Sequence, residues 1–118
     1  MTAEEIRKQY QISKAALDVY NNQVKMLFEG DAVEEENYED QDVERIGMVM
    51  TFHRMGFEDQ EIGMFFRLEQ EGETTKEQRL LMLKRHRLHI LDEIHQKEKI
   101  LEELDYLLHE LNMNGTSR

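Results

Sequence analysis

The chain contains no cysteine, which excludes disulfides, thiolate metal sites, redox switching and cysteine nucleophiles together. Proline is also absent and glycine occurs only six times, so breaks between elements have to be read from glycine, capping residues and loss of apolar rhythm. Apolar runs are short: "GMVM", Gly47 to Met50, is typical, against the roughly 20 residues that span a bilayer. No transmembrane helix and no membrane partner are expected. The amino terminus, "MTAEEIRKQYQ", mixes acids and bases where a secretory signal needs a basic start and an apolar run, so a cytoplasmic location is expected. Basic residues are scarce, 15 Lys and Arg against 26 Asp and Glu, and a net charge of −11 argues against a polyanion as the obvious partner.

What is present points to helices. At 118 residues, 39% apolar and 35% charged, the chain is long enough for one modest core with an extension. A helix is predicted from Ala3 to Tyr10, and a second after Ser13, which can cap it, carrying Ala16, Leu17 and Tyr20. From Asp42 the residues Val43, Ile46 and Met50 recur at helical spacing, with Val49 and Phe52 widening the stripe, until Gly56 supplies a left-handed stop. Glu58, Asp59 and Glu61 suit the first turn of a following helix whose core face is Ile62, Phe65 and Phe66. Methionines 48, 50, 55 and 64, with all five phenylalanines including Phe28, are expected to fill the core.

Between these helices, Glu29 to Glu44 holds nine acids and neither Lys nor Arg, a pattern usual in solvated segments. The carboxy-terminal third is the most regular part. Steps of three and four give Leu80, Leu83, Arg87, Ile90, Ile94, Lys97, Leu101, Leu104, Leu108 and Leu111, a coiled-coil seam in which Arg87 and Lys97 would set register or orientation. A helix from Lys76 to Leu111 would be roughly 50 Å long, longer than a small core is wide. Self-association, most simply as a homodimer, follows. The expected organisation is a headpiece over residues 1–70 and a long dimerisation helix with a short tail over 71–118.

Little supports catalysis, a metal or a cofactor. Ser13 and Ser117 sit at a cap and a tail with no histidine nearby in sequence. His89 and Glu93 have a spacing a metal can use, but two ligands are not a site, and Arg85 and Arg87 would repel the cation.

Two short helices, a hairpin-sized gap, a helix ending in "HRMGFEDQEIGMFFRL", and one long terminal helix together resemble the MerR family of dimeric bacterial transcriptional regulators. The motifs "YEDQDVERIGMV" and "MGFEDQEI" carry most of the likeness. The resemblance implies a mostly α protein: a winged helix-turn-helix headpiece followed by a long coiled-coil helix that pairs antiparallel with its copy. It implies promoter DNA as partner, and a short wing hairpin built from Met26–Phe28 and Asn37–Tyr38 with its tip at residues 31–36.

At the family's DNA-contacting positions the residues depart from the pattern. "LDVY" keeps Leu17 and Tyr20 but places Asp18 where relatives carry Arg and Val19 where they carry Tyr. Counting back from Tyr38 puts Gly30 and Glu36 at two further arginine positions, and the glycine of the family's helix turn is replaced by Gln11. Residues 1–70 hold 16 acids and 7 bases, whereas a DNA-reading headpiece should be the basic half. Two functions therefore stand side by side. In one, a dimer binds a palindromic operator through the positions Ser13, Lys14, Leu17, Asp18, Tyr20, Lys25, Glu36 and Tyr38, with Lys14, Lys25, Arg7 or Lys8 as substitute phosphate contacts. In the other, DNA binding is weakened or lost and the scaffold serves a protein partner, either an intact relative or a basic protein.

Overall fold

The computed structural model describes residues 1–29 and 37–116. Among these the chain is helical, with no strand. In order come α1 (Ala3–Tyr10), α2 (Lys14–Val19), a π-helical turn (Tyr20–Val24), α3 (Lys25–Glu29), α4 (Asp40–Arg54), α5 (Asp59–Glu71), a 3-10 turn (Glu73–Thr75) and α6 (Lys76–Thr116). The chain divides into two compact units, Met1–Leu80 and Leu81–Arg118.

Local chemistry accounts for most boundaries in the first unit. Thr2 and Glu5 form a capping box at the start of α1, and the Thr2 backbone N–H holds the Glu5 carboxyl below its usual pKa. The helix ends on Gln11 in the left-handed conformation, φ 55°, where the N–H groups of Gln11 and Ile12 both return to the Arg7 carbonyl. That conformation costs an L side chain about 1–2 kcal/mol and glycine nothing. Gln11→Gly should therefore raise stability by about 0.5–1 kcal/mol, part of the relief being offset by the added freedom of the unfolded chain. An unchanged or lower urea midpoint would show that Gln11 is not strained there.

From Ser13 onward the helix continues past Tyr20 as far as Glu29, the first residue of the acidic block. α2, the π turn and α3 form one helical run from Lys14 to Glu29, and the Lys25 N–H reaches back five residues to the Tyr20 carbonyl. The hairpin expected at Met26–Phe28 is thus replaced by the middle of α3, while its tip at 31–36 lies outside the described residues. The physical reason is local: "KMLFE" is rich in helix formers, and Lys25 and Glu29 pair across one turn at 3.9 Å. Glycine at 63 lets α5 approach the π turn. A Cβ there would lie 2.8 Å from Gln23 Oε1 and 3.1 Å from its Cβ.

The amino terminus folds back on the segment before α4: Tyr38 N–H donates to the Met1 carbonyl at 2.8 Å, and the Met1 ammonium donates to the Tyr38 carbonyl at 2.9 Å. α4 begins at Asp40 rather than Asp42, because Asp42 acts as the third residue of a capping box with Glu39. It ends as expected at Gly56, φ 87°. Phe52 then packs against Phe57, Phe65 and Phe66, with ring centroids 4.8–6.4 Å apart. Ile6, Tyr20, Val24, Ile46, Val49 and Ile62 complete the core. The methionines do not: Met48, Met55 and Met64 are exposed and Met50 is half-buried, because the aromatic and β-branched residues already fill the interior. Phe28 is also at the surface, covered on one side by the Arg45 guanidinium at 3.6 Å.

At the α5–α6 joint the Thr75 hydroxyl hydrogen-bonds the Leu68 carbonyl, while Arg79 donates to Thr75 Oγ1 at 3.1 Å and to the Gly72 carbonyl at 3.2 Å. These bonds satisfy groups a helix end leaves open. α6 then runs five residues beyond Leu111 to Thr116. In the second unit the described residues all belong to α6, roughly 54 Å of helix at 1.5 Å per residue, with no core of its own.

Candidate functional site

The positions expected to meet DNA separate into two groups. Ser13 is the N-cap of α2, its hydroxyl accepting from the Ala16 N–H at 3.1 Å. Lys14 and Asp18 are exposed on α2, and Arg7 and Lys8 on α1. Leu17, Tyr20, Lys25 and Tyr38 are buried, so these four hold the headpiece together rather than face a phosphate. Lys25 is the clearest correction. At 3% exposure, its ammonium lies 3.9 Å from the centre of the Tyr38 ring and donates to the Asn37 carbonyl at 3.3 Å. A cation that deep must be compensated, and the ring, the carbonyl and Glu29 do so. Tyr38 in turn donates its hydroxyl to Asn21 Oδ1 at 2.8 Å. Glu36 and Gly30 lie outside the described residues.

A second buried polar group joins α4 to the π turn. The Tyr20 hydroxyl donates to Asp42 Oδ1, the Glu39 N–H donates to Asp42 Oδ2 at 2.8 Å, and Arg45 lies 3.9 Å from the same carboxylate. Burial, then the bond to Asp42, pushes the Tyr20 phenol far above its ordinary pKa. Asp42→Ala should cost about 3 kcal/mol in urea denaturation, since it orphans a buried hydroxyl and removes one of the two bonds of the capping box at once. A loss under about 1 kcal/mol would mean water replaces the carboxylate. Tyr20 also links stability to pH. Its folded pKa is raised above the unfolded value of 10.0, so its contribution is complete below pH 10 and declines as pH rises further, by up to about 1.4 kcal/mol per unit. Tyr20→Phe should abolish that part of the alkaline slope.

Beside this network, Phe28, Glu29, Asn37, Glu39, Gln41, Asp42 and Arg45 line an open cleft of about 340 Å³. One of its carboxylates, Asp42, already lies 3.9 Å from a cation of the chain itself, Arg45. Among the described residues no group of three or more His, Asp or Glu side chains is placed to hold a metal. His89 pairs with Glu93 at 3.3 Å on the helix surface.

On α6 the seam is open to solvent. Leu80, Leu83, Ile94, Leu101, Leu104, Leu108 and Leu111 are all exposed, Leu111 by 71%, and Ile90 is half-buried. Charge is unevenly divided along the same helix. From Gln78 to Leu91 there are Arg79, Lys84, Arg85 and Arg87 with no acid, whereas Glu98 to Glu110 holds five acids and one lysine. The net charge of the carboxy-terminal third conceals this polarity, which reading charge in shorter windows would have found. Among the described residues no helix is long and apolar enough to cross a membrane. Comparison with family models, curated proteins and solved structures finds no match to the chain.

Proposed function

We propose that the chain is a dimeric regulator of the MerR type whose headpiece acts through protein contact rather than by gripping duplex DNA. The observation that carries the dimer is the uncovered seam of α6, since so many exposed leucines and isoleucines on one stripe mark an association surface. Two helices joined by a three-residue turn, a further pair joined at Gly56 and a long terminal helix support the family reading. The wing of that family is replaced here by the helical extension α3.

Protein contact is favoured over DNA because Lys25 is spent on Tyr38, Asp18 is the acid presented by α2, and the first 70 residues carry a large excess of acids. The exposed bases Arg7, Lys8 and Lys14 around the turn support a second reading, operator binding through substitute phosphate contacts. A salt titration of binding to unrelated duplex DNA separates the two. Weak binding at about 150 mM salt with a shallow slope is expected, and a slope near −0.9 per phosphate contact over several contacts would restore the operator reading.

A further inference from the structure

For the antiparallel pairing of two α6 helices that the resemblance implies, we propose one register, which the charges of this helix select. The register rests on the dimer reading above. It places Leu80 level with the partner's Leu111, Leu83 with the partner's Leu108, Arg87 with the partner's Leu104, Ile90 with the partner's Leu101, and Ile94 with the partner's Lys97. All ten seam residues then find a level partner. Arg87 and Lys97 each face an apolar side chain, along which their stems can lie while the charged heads reach water.

The competing arrangements bring like charges together. A parallel in-register pair stacks Arg87 on Arg87 and Lys97 on Lys97 within the seam, and its flanking positions set Arg79 beside Lys84 and Glu93 beside Glu98. Sliding the antiparallel pair one heptad one way sets Arg87 against Lys97, twice by symmetry. Sliding it the other way leaves Leu80 and Leu83 without level partners and brings Glu98 beside Glu98. In the proposed register the acid-free stretch from Gln78 to Leu91 lies alongside Glu102, Glu103, Asp105 and Glu110 of the second copy. Lys84 and Asp105, each following a seam leucine on the same flank, then approach one another twice per dimer. A second copy is therefore the occupant that the helix's own charge polarity fits.

The absence of cysteine makes the register directly readable. Ile90→Cys and Leu101→Cys proteins, mixed and oxidised, should form a mixed disulfide dimer on a non-reducing gel, and neither should cross-link with itself, because only level positions bring the Cα atoms within disulfide reach. Self-cross-linking of Ile90→Cys would indicate parallel helices, and cross-linking of Ile90→Cys to Leu108→Cys in place of Leu101→Cys would indicate a one-heptad slip. Either overturns the register while leaving the dimer. An exposed pair provides a second check that does not perturb the seam: Lys84→Asp and Asp105→Lys should each weaken the dimer several-fold, and the combined swap should restore it. Failure of the swap to restore would overturn the pairing. A wild-type chain that sediments as a monomer, even one whose basic stretch binds a polyanion such as heparin, would overturn both the register and the dimer.

Discussion

Replacing Ile94 and Leu101 together with Asp is expected to convert the proposed dimer into a monomer at micromolar concentration. The two residues are 45% and 55% exposed in the single chain, so covering them requires a partner. Eight apolar seam side chains per copy, each recovering about 1 kcal/mol from the area still open, give a gross gain of roughly 15 kcal/mol per dimer. Association itself costs about 4–15 kcal/mol, which leaves a surplus of at most about 11 kcal/mol. The double substitution removes four of the sixteen apolar contributions and puts four carboxylates into the seam, where each unpaired charge costs several kcal/mol. Sedimentation should report the change directly. The core of Met1–Leu80 contains neither residue, so its urea transition should persist in the monomer. Dimerisation that survives the substitution would mean the stripe is not the interface.

The second large effect is expected from reversing charge at the positions that the proposed MerR likeness aligns with arginines. Asp18→Arg, Gly30→Arg and Glu36→Arg together shift the charge by five per subunit, ten per dimer. If all three side chains reach phosphates, six new contacts per dimer should steepen the slope of log affinity against log salt by about 5. Over the range from 50 to 200 mM salt that is about a thousandfold change, against little dependence for the unmodified protein. Asp18 is exposed on α2, which makes its substitution alone a partial version of the experiment, expected to add about 1.8 to the slope for its two contacts per dimer. An unchanged slope in the triple variant would show that these positions do not face the duplex. Tight, salt-sensitive binding by the unmodified chain would instead assign the contacts to Arg7, Lys8 and Lys14.

Much of the helical framework was legible because its signals are local. The Ser13 cap, the acids opening α5, Gly56 after α4 and the three-four rhythm from Leu80 each act within a turn or two of their own position, and the corresponding helices lie where those signals put them. Gln11 illustrates the limit of such reading. Its residue type argues against a left-handed turn, yet it adopts one, with the N–H groups of Gln11 and Ile12 both bonded to the Arg7 carbonyl. The wing shows a different failure. A family likeness carried a hairpin onto Met26–Phe28, where the residues themselves favour a helix and form one.

The amino-acid sequence by itself determined that this is a cysteine-free, proline-free helical chain with a capped headpiece and a long terminal helix bearing an apolar stripe. Those properties depend on composition and on neighbours three or four residues apart. Only the tertiary structure decided which polar residues face inward. Lys25 is buried because Tyr38 and the Asn37 carbonyl happen to lie above it, and Asp42 because it must accept from Tyr20 as well as cap its own helix. Both partnerships join residues far apart in the chain, so spacing could not announce them. The same holds for the methionines, left at the surface because Phe52, Phe57, Phe65 and Phe66 had already closed the core. A side chain's affinity for the interior is written in its chemistry, but the space available to it is set by residues that meet only when the chain has folded.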